Sequence, residues 1–226
     1  MNAKSALAEL KKHSNPKNVE GMARFGISSK NTLGISIPTL RGMAKKTGKD
    51  HELALELWDS GIHEARLLAG FIGESGKVTE KQLEKWVLEF DSWDVCDQVC
   101  SNLFDQTPFA WRKAVEWSSR EEEFVKRSGF VLMACLSVHD KKASDADFEK
   151  FFPIIKRESG DRRNFVRKAV NWALRQIGKR NKKLNASAIK LAREIQKIDS
   201  KSAKWIANDA LRELEGEAVQ KRLACK

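Results

Sequence analysis

The sequence predicts an all-α fold, an α-solenoid of stacked antiparallel helix pairs, and three observations carry that prediction. Apolar residues recur at helical spacing along nearly the whole chain, while the alternation expected of strands is almost absent. Faint self-similarity returns at intervals near 40 residues, the period of a two-helix, HEAT-like (ARM/HEAT-type) unit. The 226 residues are many for one ordinary domain and few for two. A repeat array escapes that limit because each unit packs only on its neighbours. Residues 1–226 therefore read as a single repeat domain of about six to seven helix pairs. With 41% apolar residues, 11 Phe, 7 Trp and no Tyr, every buried ring must be Trp or Phe.

In order along the chain, residues 50–59 place Leu53, Ala54, Leu57 and Trp58 on one helical face. Thr79 ahead of Glu80 reads as a helix start. Ser92 is a fitting N-cap for a helix carrying Trp93 and Asp97 one turn apart. Asp105-Gln-Thr-Pro108 ends one helix and opens another, with Pro108 in the first turn, where its missing N–H costs nothing. Residues 144–157 read as one helix opening on Ser144, with Asp147 where a capping box usually has Glu or Gln. Asn185 before Ala186 reads as a further start. The total is about fourteen short helices. The repeat shows where Asn164–Arg175 is laid over Lys201–Arg212, sharing Ala-Leu-Arg 37 residues apart. Phe124–Ser128 lies 41 residues before Phe165–Ala169, which sets Arg127 against Lys168. The run Lys179–Lys183 is a short basic loop, either a solvated turn or a phosphate contact.

Lys and Arg outnumber Asp and Glu by 42 to 31, a net charge of +11. Such an excess favours a polyanionic partner, because each neutralised phosphate releases a condensed counterion. Nucleic acid is favoured over a membrane surface. No apolar run reaches the roughly 18–20 residues that span a bilayer, and no signal peptide follows Met1. Of Cys96, Cys100, Cys135 and Cys225, only the first two are close, without metal-spaced His partners. Neither a zinc site nor a disulfide framework is expected, and a reducing, cytoplasmic location is. The histidines at 13, 51, 63 and 139 are scattered and expected on the surface. Phosphate-binding glycine loops, paired metal-ligand motifs and nucleophile elbows are missing, so neither a cofactor nor a metal is expected.

The most informative segment is Asp91–Asp97. An indole face one turn from a carboxylate suits a developing cation, the ring offering its negative quadrupole and Asp97 a full charge. Taken alone, Trp93 equally fits a core position and Asp97 a surface acid. Arg127 taken alone is a surface ion-pairing residue, and Trp172, among Val166, Ala169, Val170 and Ala173, a core residue.

Several ordered segments change that weighing. Asn15–Phe25 and Leu33–Arg41, then Ser92–Asp97, Val125–Arg127 and Phe165–Arg175, resemble in order the signatures of the AlkD-like DNA alkylation-repair glycosylases, with HEAT-like repeats. The resemblance runs from about residue 5 to 215. It implies a solenoid whose concave basic face binds duplex DNA, and excision of cationic N3- and N7-alkylated purines. Carried over by position, Asp97 resembles the catalytic carboxylate, and Trp93 and Trp172 the aromatic walls against the lesion's sugar. Arg127 resembles a phosphate clamp, and Lys126, Arg167 and Lys168 beside these motifs are taken as further DNA contacts. Phe25 stands where studied members carry Tyr, so the resemblance implies an aromatic contact there without the hydroxyl.

The leading function is thus a monofunctional DNA-alkylpurine N-glycosylase acting, as a monomer, on duplex DNA containing alkylated bases. The alternatives are a non-catalytic DNA-binding member of the same family and a helical scaffold for acidic proteins.

Overall fold

The computed structural model describes residues 2–225, and these form fifteen α-helices, two 3-10 turns and no strand. They divide into two compact units, one ending at Pro108 and one beginning at Phe109.

The first unit holds α1 (Ala3–Lys12), α2 (Pro16–Arg24), α3 (Ile37–Thr47), α4 (His51–Asp59), α5 (His63–Ile72), α6 (Glu80–Leu88) and α7 (Trp93–Asn102). Short polar side chains open most of them: Asn2, Asn15, Ser36, Asp50 and Thr79 each accept a first-turn N–H. The four apolar residues expected on one face of 50–59 are all buried. Trp58 stacks on Trp86 with centroids 4.0 Å apart, and its Nε1 donates to Glu89 at 2.6 Å, so a fully buried indole keeps its hydrogen bond. Helix α5 is the centre of this unit and packs against α3, α4 and α7. Pro108 falls outside the helix assigned to it. Phe104–Gln106 make a 3-10 turn that Thr107 caps through its hydroxyl, and the next helix begins only at Ala110.

The second unit holds α8 (Ala110–Trp117), α9 (Glu123–His139), α10 (Asp145–Glu149), α11 (Phe152–Glu158), α12 (Asn164–Gly178), α13 (Lys182–Gln196), α14 (Lys201–Leu214) and α15 (Glu217–Ala224). The repeat read from the sequence is real: α9, α12 and α14 begin at corresponding positions, α9 packs on α12, and α12 on α14. Close approach of α8 and α9 depends on Gly129, where a Cβ would stand 2.6 Å from the Ser118 amide nitrogen and 2.9 Å from the Ala114 carbonyl.

Two further boundaries differ from expectation. The single helix over 144–157 is two helices. Ser144 and Asp147 do form the reciprocal capping box, but Pro153 lacks an N–H and its ring would strike the carbonyl of Glu149, four residues back, so the helix breaks. Asn185 starts nothing; it is buried in α13 with Nδ2 donating to Gly178 O at 3.0 Å, and Asn181 is the cap. In the basic run 179–183, Lys179 pairs with Glu213 at 2.5 Å. Arg180 donates to the carbonyls of Ser137 and Ala143 and lies 4.4 Å from the Phe148 ring centroid. Only Lys182 and Lys183 of the run are exposed.

Candidate functional site

The first turn of α7 is fixed before any ligand is considered. Ser92 takes the N-cap position, yet its hydroxyl donates to Asp94 Oδ1 at 2.8 Å and not to a helix amide. The other oxygen of Asp94 meets His63 Nε2 at 2.9 Å, and all three side chains are buried. Burial disfavours the charged imidazole, but the Asp94 hydrogen bond and charge, with Glu64 and Asp91, outweigh it and raise the His63 pKa above its ordinary value. The expectation of surface histidines is corrected here: His51 and His63 are both buried. Next to His63, Glu64 is fully buried and its carboxylate accepts the backbone N–H groups of Leu33, Gly34 and Ile35 at 2.8, 2.7 and 3.2 Å. Gly34 sits at φ +79°, and a Cβ there would collide with the Asn15 carbonyl. The 33–35 segment is thereby pinned onto the start of α5.

With Asp94, Val95, Cys96, Val99 and Cys100 turned inward, α7 leaves Trp93, Asp97 and Gln98 half-buried. Trp93 and Asp97 share a face, as their spacing requires. The Trp93 Nε1 donates to the carbonyl of Phe25 at 3.0 Å, which holds the indole against the end of α2. Phe25 itself is 73% exposed. Its polar contribution is therefore a backbone carbonyl, and its ring is left open to solvent. Met22, Phe25, Ile27, Ile35, Leu67 and Trp93 line a mainly apolar cleft of about 600 Å³, with Asp94 and Gln98 among its polar members. Such a cleft accepts a flat apolar surface with a few oriented polar groups at its edge.

In the second unit the predicted cations separate into internal and external. Lys126 is buried, with Nζ 2.8 Å from Glu158 and 3.8 Å from Asp161. Arg127 is 5% exposed, and its Nη1 donates to Phe165 O at 2.5 Å. Both were expected to touch phosphate. The structure places them inside, where Lys126 joins Arg157 and Arg163 around Glu158 and Asp161, and releasing Arg127 would free the first turn of α12. Arg167 lies 4.6 Å from the Trp205 ring centroid and donates to Asn164 Oδ1 at 3.1 Å. Lys168 is exposed and Trp172 half-buried. Trp205, 38% exposed, is a surface aromatic that the sequence reading passed over. Its signal was the repeat, since position 205 corresponds to Lys168 and Arg127. Among the described residues no cluster of His, Cys, Asp or Glu could hold a metal ion, and no helix is long and apolar enough to cross a membrane.

These helix pairs have known counterparts. A solved structure described as a new family of proteins related to the HEAT-like repeat DNA glycosylases, with affinity for branched DNA structures, superposes with a TM-score of 0.79 at 18% identity, covering 96% of this chain and 97% of that one. The fold is thus all-α and HEAT-like. The family model of the DNA alkylation repair enzyme matches residues 6–214, and the chain belongs to that family. An uncharacterized protein of Listeria innocua, Lin0241, is 24% identical over 194 residues, 84% of each chain.

Proposed function

We propose that this chain is a monofunctional DNA glycosylase that hydrolyses the N-glycosidic bond of cationic N3- and N7-alkylpurines in duplex DNA. The observation that carries the reading is the pairing of Trp93 and Asp97 on one face of α7, the indole anchored to Phe25 and the helix start locked by Asp94 and His63. A cationic alkylpurine leaves as a neutral base, taking the electron pair of the C1′–N bond, so no general acid is needed. The sugar is left with oxocarbenium character, as in glycoside hydrolysis. The Asp97 carboxylate and the Trp93 ring face stabilise that charge, and Asp97 orients the water whose oxygen bonds to C1′ and whose proton passes to solvent. In the second unit, Trp172 and Lys168 on α12 are proposed as an aromatic and a phosphate contact to the DNA. Arg127 serves this reading by fixing the start of α12, which carries both.

The test is release of free base from DNA containing 7-methylguanine or 3-methyladenine. Asp97→Asn should lower the rate by about 10²-fold or more, the loss expected for one electrostatic stabiliser. Full activity in that variant removes Asp97 from the mechanism. A second reading, DNA binding without base release, is favoured by the branched-DNA affinity of the structural neighbour. Tighter binding of a four-way junction than of linear duplex, with base release no faster than the spontaneous rate, establishes that reading instead.

A further inference from the structure

We infer that the first unit carries a dedicated binding site for a DNA backbone phosphate, formed where the C-terminal turns of α3, α5 and α7 meet. The site is a cleft of about 450 Å³ whose polar side chains, those of Arg41, Lys45, Lys49, Asn102 and Gln106, can all donate hydrogen bonds; no carboxylate lines it. A lining of cations and amides without an acid is the chemistry of an anion site.

Two features distinguish this cleft from scattered surface lysines. Arg41 is preorganised: its guanidinium lies 4.8 Å from the Phe71 ring centroid, and Nη2 donates to Gln98 Oε1 at 3.1 Å. Gln98 is held in turn, because Asn102 Nδ2 reaches both its main-chain carbonyl at 2.7 Å and its side-chain oxygen at 3.3 Å. A guanidinium fixed in this way loses little rotamer freedom on meeting a phosphate. Lys49, an exposed member of the lining, donates to the carbonyls of Phe71 and Gly73 at 3.0 and 2.8 Å. It adds charge there without being free to leave. The nearest acid acting on Lys49, Glu74, is itself paired with Lys77 at 2.9 Å.

The position of the cleft matters as much as its chemistry. Gln98 bonds Arg41 on one side and lines the apolar cleft beside Trp93 on the other, one residue from Asp97. A phosphate held by Arg41 and Lys45 would therefore set the strand's register along α7, beside the face that carries Trp93 and Asp97. Arg41 and Lys45 are positioning residues on this account, and the inference rests on the DNA reading given above.

The experiment is fluorescence anisotropy of the full chain with a labelled linear duplex across a salt series. Each phosphate contact contributes about 0.9 to the slope of log K against log salt, so Arg41→Gln/Lys45→Gln, which removes this one contact, should flatten the slope by about 0.9 and weaken binding at low salt. Arg41→Lys, tested alone, should keep the slope close to wild type. Lys4→Gln/Lys11→Gln removes the same charge from exposed positions on α1 and should flatten the slope by less. A wild-type slope in the Arg41/Lys45 variant, with circular dichroism unchanged, overturns the phosphate site and leaves the DNA reading standing. Equal flattening in the α1 control also overturns it, since the effect would then be net charge alone. If the wild-type chain binds no DNA at low salt, the DNA reading itself fails and takes the phosphate site with it.

Discussion

Replacing Glu64 tests the physical core of the candidate site, because one buried carboxylate holds three successive amides. Glu64 is fully buried; Oε1 accepts from Gly34 and Ile35, and Oε2 from Leu33. Hydrogen bonds to a charged group contribute about 1.5–3 kcal/mol each, and a buried donor left without a partner costs about 1–3 kcal/mol. In Glu64→Ala the amides of Gly34 and Ile35, both buried, lose their acceptor. Offset by the relief of no longer burying a charge, the expected loss is about 3–5 kcal/mol, the range found when one partner of a buried charged network is removed. In Glu64→Gln one carbonyl can still serve Gly34 and Ile35, but the new NH2 group faces the Leu33 N–H. That donor–donor contact sits at a half-buried position, so the loss should be smaller, about 2–3 kcal/mol. Urea unfolding followed by circular dichroism measures both, read as a shift in midpoint at constant slope. A Glu64→Gln protein within about 0.5 kcal/mol of wild type, the scatter of an ordinary surface change, would show that these bonds do not hold the 33–35 segment.

Other expectations follow from the same geometry. The folded pKa of His63 is raised above its unfolded value, so its contribution to stability is complete below that unfolded value and is lost as pH rises through the folded one. Unfolding midpoints measured across neutral pH should therefore fall with rising pH in the wild type. The slope should be shallower in Asp94→Asn, and an identical slope in the two proteins would deny the pair this role. Lys126→Met leaves Glu158 with Arg157 and Asp161 with Arg163 as their remaining partners, so it should cost about 1–3 kcal/mol. The salt slope of DNA binding should not change in that variant; a drop of about 0.9 would restore Lys126 as a phosphate contact.

What could be read from the sequence, and what could not, follows how far apart the interacting residues lie. Helix positions, the Ser144 cap and the repeat that aligns α9, α12 and α14 depend on neighbours within a few residues or on a fixed period, and these were readable. So was the pairing of Trp93 with Asp97, since four residues on a helix make one face. The split at Pro153 was readable too, because the rule that breaks the helix there is local. By contrast, His63 meets Asp94 across 31 residues, Glu64 holds amides about 30 residues away, and Arg41 finds Gln98 at a separation of 57. No periodicity announces such pairs, so scattered histidines read as surface residues and Arg41 as one basic residue among many. Charge misled for the same reason. Lys126 and Arg127 counted toward a basic surface because composition assigns charge to solvent, whereas Lys126 closes an ion pair 32 residues on and Arg127 donates to a carbonyl 38 residues on. The buried cations Lys113, Lys126 and Arg127 are matched by the buried acids Glu64, Asp94 and Asp105, so the net +11 keeps its size at the surface but is differently placed. That is why the salt slopes of the Arg41/Lys45 and Lys126 variants, and not net charge, decide which cations face a phosphate.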